Sequence, residues 1–248
     1  MSKAHMQTPP EALPCFSCKA RHSPLCSVFD DEHIGILFAR ARIRTLKAGA
    51  YLLHEEERAR QIYNTSSGAL ALERLASDGA RQIMAFCYAG DFIGISSGPS
   101  WTVSARALKP STACQWQEAD IHALYRDWPK LEERIHAITS RVVEAIMDQL
   151  FVLGRKKAPA KIAWFLLFTE ARLQHVSGTG GVFTMPMTRI DIADYLGLTV
   201  ETVSRAFSDL RRKGYIRITD KWQVEIRDRA ALAALSGYIQ PGTGRRKG

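Results

Sequence analysis

The 248-residue sequence predicts an α+β protein in three parts: an N-terminal β-roll of the jelly-roll kind, a long dimerisation helix, and a C-terminal winged helix-turn-helix. Three observations carry this. Between Gly49 and Cys114, strand-like text is punctuated by glycines at 68, 79 and 90, every eleven residues. Between Asp120 and Leu153 the apolar period changes from two to a helical one. From Thr188 to Gly214, two helical stripes are separated by Gly197. The expected boundaries are 1–30 for a cysteine-rich segment, 31–119 for the roll, 120–154 for the long helix, 155–238 for the winged helix and 239–248 for a disordered basic tail.

In the roll, the alternation of Leu70 and Leu72 in "GALALERL" marks a half-buried strand, and "SDG" before Ala80 supplies a hairpin turn. The long helix carries Leu131, Ile135, Ile138, Val142, Ile146, Leu150 and Leu153 at steps of three and four, the seam of a helix that packs on another helix. Its roughly 34 residues, about 50 Å, exceed what a roll of this size needs, so the seam predicts a two-fold dimer. Gly154 and Pro159 in "GRKKAP" then predict a hinge, "PAKIAWFLLFTEARLQHV" a helix and "SGTGG" a flexible turn, while the tail "QPGTGRRKG" is too small and polar to pack.

A hydrophobic content of 46% is enough for a real core, and no run of eighteen apolar residues is present. The N-terminus lacks the apolar stretch of a secretory signal, so the sequence predicts a cytoplasmic protein with no membrane partner. There, five cysteines do not form a disulfide framework. Three of them, Cys15, Cys18 and Cys26, crowd into "LPCFSCKARHSPLCSVFD". Zinc, a redox couple and an iron–sulfur cluster all remain open for them at this point. The net charge of +9 is unevenly placed: residues 1–154 hold 17 Lys+Arg against 17 Asp+Glu, whereas 155–248 hold 17 against 8. A neutral front and a basic back predict a sensing or assembly half joined to a half that meets a polyanion.

The strongest signal is "MTRIDIADYLGLTVETVSRAFSDLRRKGYIRI". Thr188 to Leu196 reads as a short helix, Gly197 as the break, and Thr199 as the N-cap of a second helix ending before Gly214. On that second helix Val203, Ala206, Phe207 and Leu210 face inward, while Glu201, Ser204, Arg205 and Ser208 form the outward stripe. Arg205 can donate twice to guanine O6 and N7, Glu201 can accept from a cytosine amine, and Ser204 can serve a base or a phosphate. Arg189 and Thr199 join them as candidate DNA contacts, and Arg211, Arg212 and Lys213 are placed to meet phosphates. Beyond Gly214, "YIRITDKWQVEIRD" turns at Asp220-Lys221 and reads as a two-stranded wing.

These residues resemble the recognition region of the Crp/Fnr superfamily, and Glu201-x-x-Ser204-Arg205 is the pattern of its Fnr and FixK/FnrN branch. The likeness extends through "LLHEEERARQIYNTSSGALALERL", "GARQIMAFCYAGDFIGIS", the long helix and the winged helix, in the family's order. It implies a homodimeric transcription regulator, mainly an activator and not an enzyme, that binds double-stranded DNA at inverted repeats of TTGAT-type half-sites. Loops of the roll, including the one near Asp78-Gly79, would be candidates to touch RNA polymerase.

The likeness also bears on the signal. Nucleotide binders of the family resemble one another through a Gly-Glu-Leu turn and an Arg-Ser-Ala segment; here these read "GDFIG" and "TVSARA", with Val103 in place of the phosphate-pairing arginine. An unpaired buried phosphate would be costly. Oxygen-sensing members hold a [4Fe-4S] cluster with three N-terminal cysteines and one from the roll, which implies Cys15, Cys18, Cys26 and, after a similar T-x-C strand, Cys114. The Cys-x2-Cys-x7-Cys spacing is similar to the rhizobial FixK/FnrN pattern. Cys87 in "MAFCYAG" reads instead as a small buried hydrophobe. Zinc on Cys15, Cys18, His22 and Cys26 is the main alternative, alongside a small-molecule effector in the roll. A thiol oxidoreductase on Cys15-x-x-Cys18 is more remote, for the motif lacks a βαβ context.

Overall fold

The computed structural model describes residues 13–238 apart from 95, 97, 178–180 and 221, and of 174–177 the backbone alone. The basic tail, most of the "SGTGG" turn and the first twelve residues therefore lie outside the described residues. The described chain divides into two compact units, one with the residues up to 74 and 86–143, the other with 75–85 and the described residues from 144 onward.

The first unit holds most of the roll, whose strand Arg81–Tyr88 begins in the second. After two short 3-10 turns, Pro14–Ser17 and Cys26–Val28, comes a short helix α1 (Ile34–Phe38), followed by β1 (Arg42–Leu46), β2 (Tyr51–Leu53), β3 (Gln61–Ser67), β4 (Ala69–Leu75), β5 (Arg81–Tyr88), β6 (Phe92–Ile93), β7 (Ser104–Ala107) and β8 (Ser111–Gln117). These strands form two antiparallel sheets, ordered β1-β8-β3-β6 and β2-β7-β4-β5. Gly68 joins β3 to β4 at φ 91°, and a Cβ there would lie 2.1 Å from the Ser111 hydroxyl, so both the turn and the close approach require glycine.

The strand period of two sorts the residues of the first sheet. Tyr63 and Ala113 point into the roll, where they meet Leu46, Leu53, Leu70, Cys87, Ile93 and Trp101. Ile62 and Trp116 belong to the outer face and pack with Leu25, Phe29, Ile34, Leu37, Ile121, Leu124 and Leu131. The N-terminal segment thus covers the outside of the sheet. Full burial of each such side chain contributes about 1.5–3 kcal/mol, which makes this cover part of the core. Trp116 secures it by donating from Nε1 to the Leu37 carbonyl at 2.9 Å.

The alternation expected in β4 holds only in part. Leu70 is buried and Leu72 partly so, but Glu73 is buried too, because it accepts from Arg106 at 3.0 Å and from the Tyr51 hydroxyl at 2.7 Å. A charge can enter a strand's buried side when its hydrogen bonds are met.

The single helix expected from 120 to 154 is two helices: α2 (Glu118–Leu124) and α3 (Pro129–Arg155). Pro129 causes the break, because it lacks an N–H and disfavours helical backbone in the residue before it, while itself suiting the first turn of α3. The intervening Trp128 packs on Phe29 at 5.3 Å between ring centroids. The 27 residues of α3 span about 40 Å. Its seam has two fates. Leu131 is fully buried in the roll's outer core and Ile135 packs against it, whereas Val142, Ile146 and Leu150 are exposed together with Val143, Met147 and Phe151. Gly154 lies within the helix; the break that follows falls at 156–157, ahead of α4 (Ala158–Ser177), with Pro159 in its first turn.

The second unit is built on α4, whose run Ile162 to Leu167 is buried on all sides. Around it lie β9 (Val182–Thr184), α5 (Arg189–Leu196), α6 (Val200–Arg212), β10 (Ile216–Asp220), β11 (Gln223–Ile226) and α7 (Arg229–Ser236). The wing has three strands rather than the two expected, ordered β10-β11-β9, because Val182–Thr184 pairs with β11. A three-residue strand is too short to show a period in sequence. The turn between β10 and β11 includes Lys221, outside the described residues. No helix among the described residues is long and apolar enough to cross a membrane.

Candidate thiol pocket and nucleic-acid interface

Strand β8 carries Cys114 opposite Ile43 on one side and Asn64 on the other. Its neighbours in sequence show which way it faces: Ala113 belongs to the roll interior, so Cys114 and Trp116 belong to the outer face, under the N-terminal segment. That segment brings its own cysteines to the same place. Cys15, Cys18, Cys26 and Cys114 line one pocket, with Arg21, Asn64, Ser66 and an apolar wall that includes Leu37 and Trp116. Cys87 lies instead in the roll interior, 6% exposed, and His22 is exposed and outside the pocket. All five cysteines are free thiols.

Hydrogen bonds hold the walls. The Ser66 hydroxyl lies 3.3 Å from Cys114 Sγ, and the Ala20 amide donates to Cys18 Sγ at 3.4 Å. Asn64 is buried, and one orientation of its amide satisfies it: nitrogen donates to the Gly90 and Asp91 carbonyls at 3.1 Å each, and oxygen accepts from the Ser23 hydroxyl at 3.3 Å. The reverse orientation would turn the nitrogen to the Ser23 hydroxyl at 3.3 Å and to Cys26 Sγ at 3.4 Å, and give up both bonds to the carbonyls. Arg21 reaches across the segment to the Cys26 and Phe29 carbonyls at 3.1 and 3.0 Å and to the Asp31 carboxylate at 2.6 Å. Sequence reasoning missed Arg21, Asn64 and Ser66, whose roles depend on a sheet face and a loop meeting in space.

Burial pushes the Cys15 thiol up to about 12, helped by the neighbouring Cys114, Cys26 and Cys18, while Arg21 pulls the other way. Burial likewise raises Cys114 to about 11, against a hydrogen bond from Ser66, and raises Cys26 against one from Ser23. Left to themselves these thiols stay protonated. A positively charged core placed among them would reverse that balance, since coordination deprotonates a thiol outright. Among the described residues, no three Cys, His, Asp or Glu side chains converge as they would around one metal ion. The four thiols are soft sulfur donors, the ligand chemistry by which proteins hold either zinc or an iron–sulfur cluster.

In the second unit the helix-turn-helix is sharply capped. Thr188 N-caps α5, accepting from Asp191 N, and Asp191 reaches back to Thr188 N, a reciprocal capping box. Gly197 closes α5 in the left-handed region at φ 59°. Thr199 N-caps α6, accepting from Thr202 N at 3.2 Å. On α6, Val203, Ala206, Phe207 and Leu210 are buried, and Glu201, Ser204, Arg205 and Ser208 are exposed along one stripe. Arg205 and Glu201 pair one turn apart at 2.5 Å, with side chains 77% and 72% exposed, so each is free to exchange its partner for a base. Arg189 is placed differently from the other candidate contacts: its guanidinium lies over the Phe207 ring, 3.2 Å from the centroid, and burial lowers its pKa to about 10. Lys161 was not legible in sequence at all. Buried on α4, it donates from Nζ to the Leu196 carbonyl at 3.0 Å and so caps α5 at the turn.

A sheeted roll followed by a capped, outward-striped helix-turn-helix and a wing defines a DNA-binding regulator. Residues 160–235 match the family model of the Crp-like helix-turn-helix domain, and residues 43–127 that of the cyclic nucleotide-binding domain. The chain is 36% identical over 204 residues to the nitrogen fixation regulation protein FixK of Bradyrhizobium diazoefficiens, covering 82% of this chain and 86% of the relative. It is 31% identical over 234 residues to the transcriptional activator protein anr of Pseudomonas aeruginosa, with coverages of 91% and 95%. The solved structure of FixK2 from Bradyrhizobium japonicum is similar with a TM-score of 0.74 at 32% identity, covering 81% of this chain and 99% of that one. The chain belongs to the Crp/Fnr family of transcription regulators.

Proposed function

We propose that the chain works in the cytoplasm as a homodimeric regulator, mainly an activator, which responds to oxygen through a [4Fe-4S] cluster on Cys15, Cys18, Cys26 and Cys114. It binds TTGAT-type inverted repeats and controls anaerobic and microaerobic genes. The single observation that carries the reading is the meeting of Cys114, from β8, with the three N-terminal thiols at one pocket. Soft anionic sulfur suits iron–sulfur chemistry, and a pocket walled by Leu37 and Trp116 limits water around it. When bound, the cluster would supply the positive charge that lets four part-buried thiols ionise together, and an air-labile tie between the segment and the sheet.

This chain's own residues supply the rest. The N-terminal cover packs through Phe29 on Trp128, at the start of α3, so order in the cover bears on the helix. Farther along α3, the exposed apolar row from Val142 to Phe151 has the helical spacing to take the same row of a second copy. Two copies would present two α6 helices, with Arg205 toward guanine and Glu201 toward cytosine in each half-site. Exposed residues around Asp78-Gly79 are the surface offered to RNA polymerase.

For a nucleotide effector, Arg106 would be the nearest cation on β7, but it is engaged by Glu73. For zinc, the set with His22 is not gathered, since His22 stands outside the pocket. Anaerobic purification tests the proposal. It should yield brown protein with iron and sulfide near four each per chain and absorption that bleaches in air, and Cys114→Ser should lose the iron. Colourless zinc protein, or full iron in Cys114→Ser, would overturn it.

A further inference from the structure

We infer that Arg21 is the buried counter-cation of the thiol pocket and that, with Asp31 as its modulator, it sets how readily the group held there loses an electron to dioxygen. The inference rests on the cluster reading above and concerns the regulation of that same site.

Arg21 is only 8% exposed and lines the pocket beside the four cysteines. Its Nη atoms are committed to two carbonyls and to Asp31, but its buried Nε has no hydrogen-bond partner among the described residues. A guanidinium keeps its charge under all ordinary conditions, and burying it costs several kcal/mol unless negative charge lies close by. Asp31 meets that need poorly, because its side chain is 73% exposed and therefore well screened. Ionised on a bound cluster, the thiols beside Arg21 would be the remaining source of negative charge, and Arg21 already opposes the upward shift of both Cys15 and Cys26.

A doubly positive iron–sulfide core held by four thiolates would carry two net negative charges, and passing one electron to dioxygen, reduced thereby to superoxide, would remove one of them. A fixed cation beside the site favours the more negative state, so Arg21 raises the potential and slows that loss. Asp31 partly cancels Arg21 and therefore speeds it. The two residues thus act with opposite sign, although both tie down the same segment.

That opposition separates charge from structure. Full-length protein, purified anaerobically, would be compared as wild type, Arg21→Gln, Arg21→Lys and Asp31→Asn. The readouts are the rate of bleaching in air and the potential for uptake of one electron, followed by electron paramagnetic resonance. Asp31→Asn should bleach more slowly, by about threefold or more, and take up the electron at a higher potential; Arg21→Gln should shift both the other way, and Arg21→Lys should fall between it and wild type. Iron and sulfide in the wild type report separately on the cluster reading. Should Arg21→Gln fail to hold a cluster, Asp31→Asn still decides: bleaching as fast as wild type or faster overturns the inference, because a purely structural tie predicts loosening in both variants.

Discussion

Cys15 and Cys114, held near pKa 12 and 11 chiefly by burial, make the metal-free pocket sensitive to alkali. An unfolded cysteine ionises near pH 8.5, so above that pH the unfolded chain sheds protons that the folded chain keeps. The stabilisation is complete below about pH 8.5 and drains away as the pH climbs toward the folded values. Urea midpoints of metal-free protein should therefore fall between pH 8.5 and 11, and less steeply in Cys15→Ser/Cys114→Ser. An identical slope in both would dissociate the effect from these thiols. In the second unit, Arg205 shares its exposed ion pair with Glu201, a pairing worth little in water and readily given up. Arg205→Ala should cost about 1–3 kcal/mol of discrimination at its guanine, measured by competition among single base-pair variants, whereas loss of Lys213 should weaken binding to all sequences alike.

Among the elements, α3 shows how one apolar seam can serve two partners. Leu131 is spent on the roll, while Ile146 and Leu150, 47% and 58% exposed, have no cover within the described residues. A glutamate at both positions should convert a dimer to a monomer in sedimentation equilibrium while leaving far-ultraviolet circular dichroism unchanged, because neither side chain supports its own chain's core. A variant that remains dimeric would place the interface elsewhere. Helix α6 depends on its caps: Thr199→Ala should lower stability by about 1 kcal/mol in urea unfolding. The two stripes of α6 were legible from spacing alone, since a period of 3.6 sorts thirteen residues without help from outside. The break at 125–128 was not read, although Pro129 was in plain view, because helical spacing of apolar residues carries on across it. Membership of β9 in the wing was invisible, being a pairing between residues about forty positions apart.

At the scale of the molecule, the N-terminal cover is the part whose order depends most on the proposed cluster. Removing it with a chelator should raise amide hydrogen exchange in residues 13–38, most of all around Cys15 to Cys26, and leave the buried run of α4 protected. Equal exchange in the cover with and without iron would separate the cover from the sensor. The sequence by itself determined the order of domains, the helix-turn-helix with its outward Glu201, Ser204 and Arg205, the basic rear half and the three clustered cysteines, because caps, turns and periods act over a few residues. The family resemblance already pointed to Cys114 rather than Cys87, but only the tertiary structure brought Cys114 to those cysteines, walled the pocket with Arg21, Asn64 and Ser66, and set Lys161 to cap α5. Those relations need distant segments to share a face: Cys87 and Cys114 sit on similar strands, and it is the N-terminal cover, packed against one outer sheet, that gives only Cys114 its company.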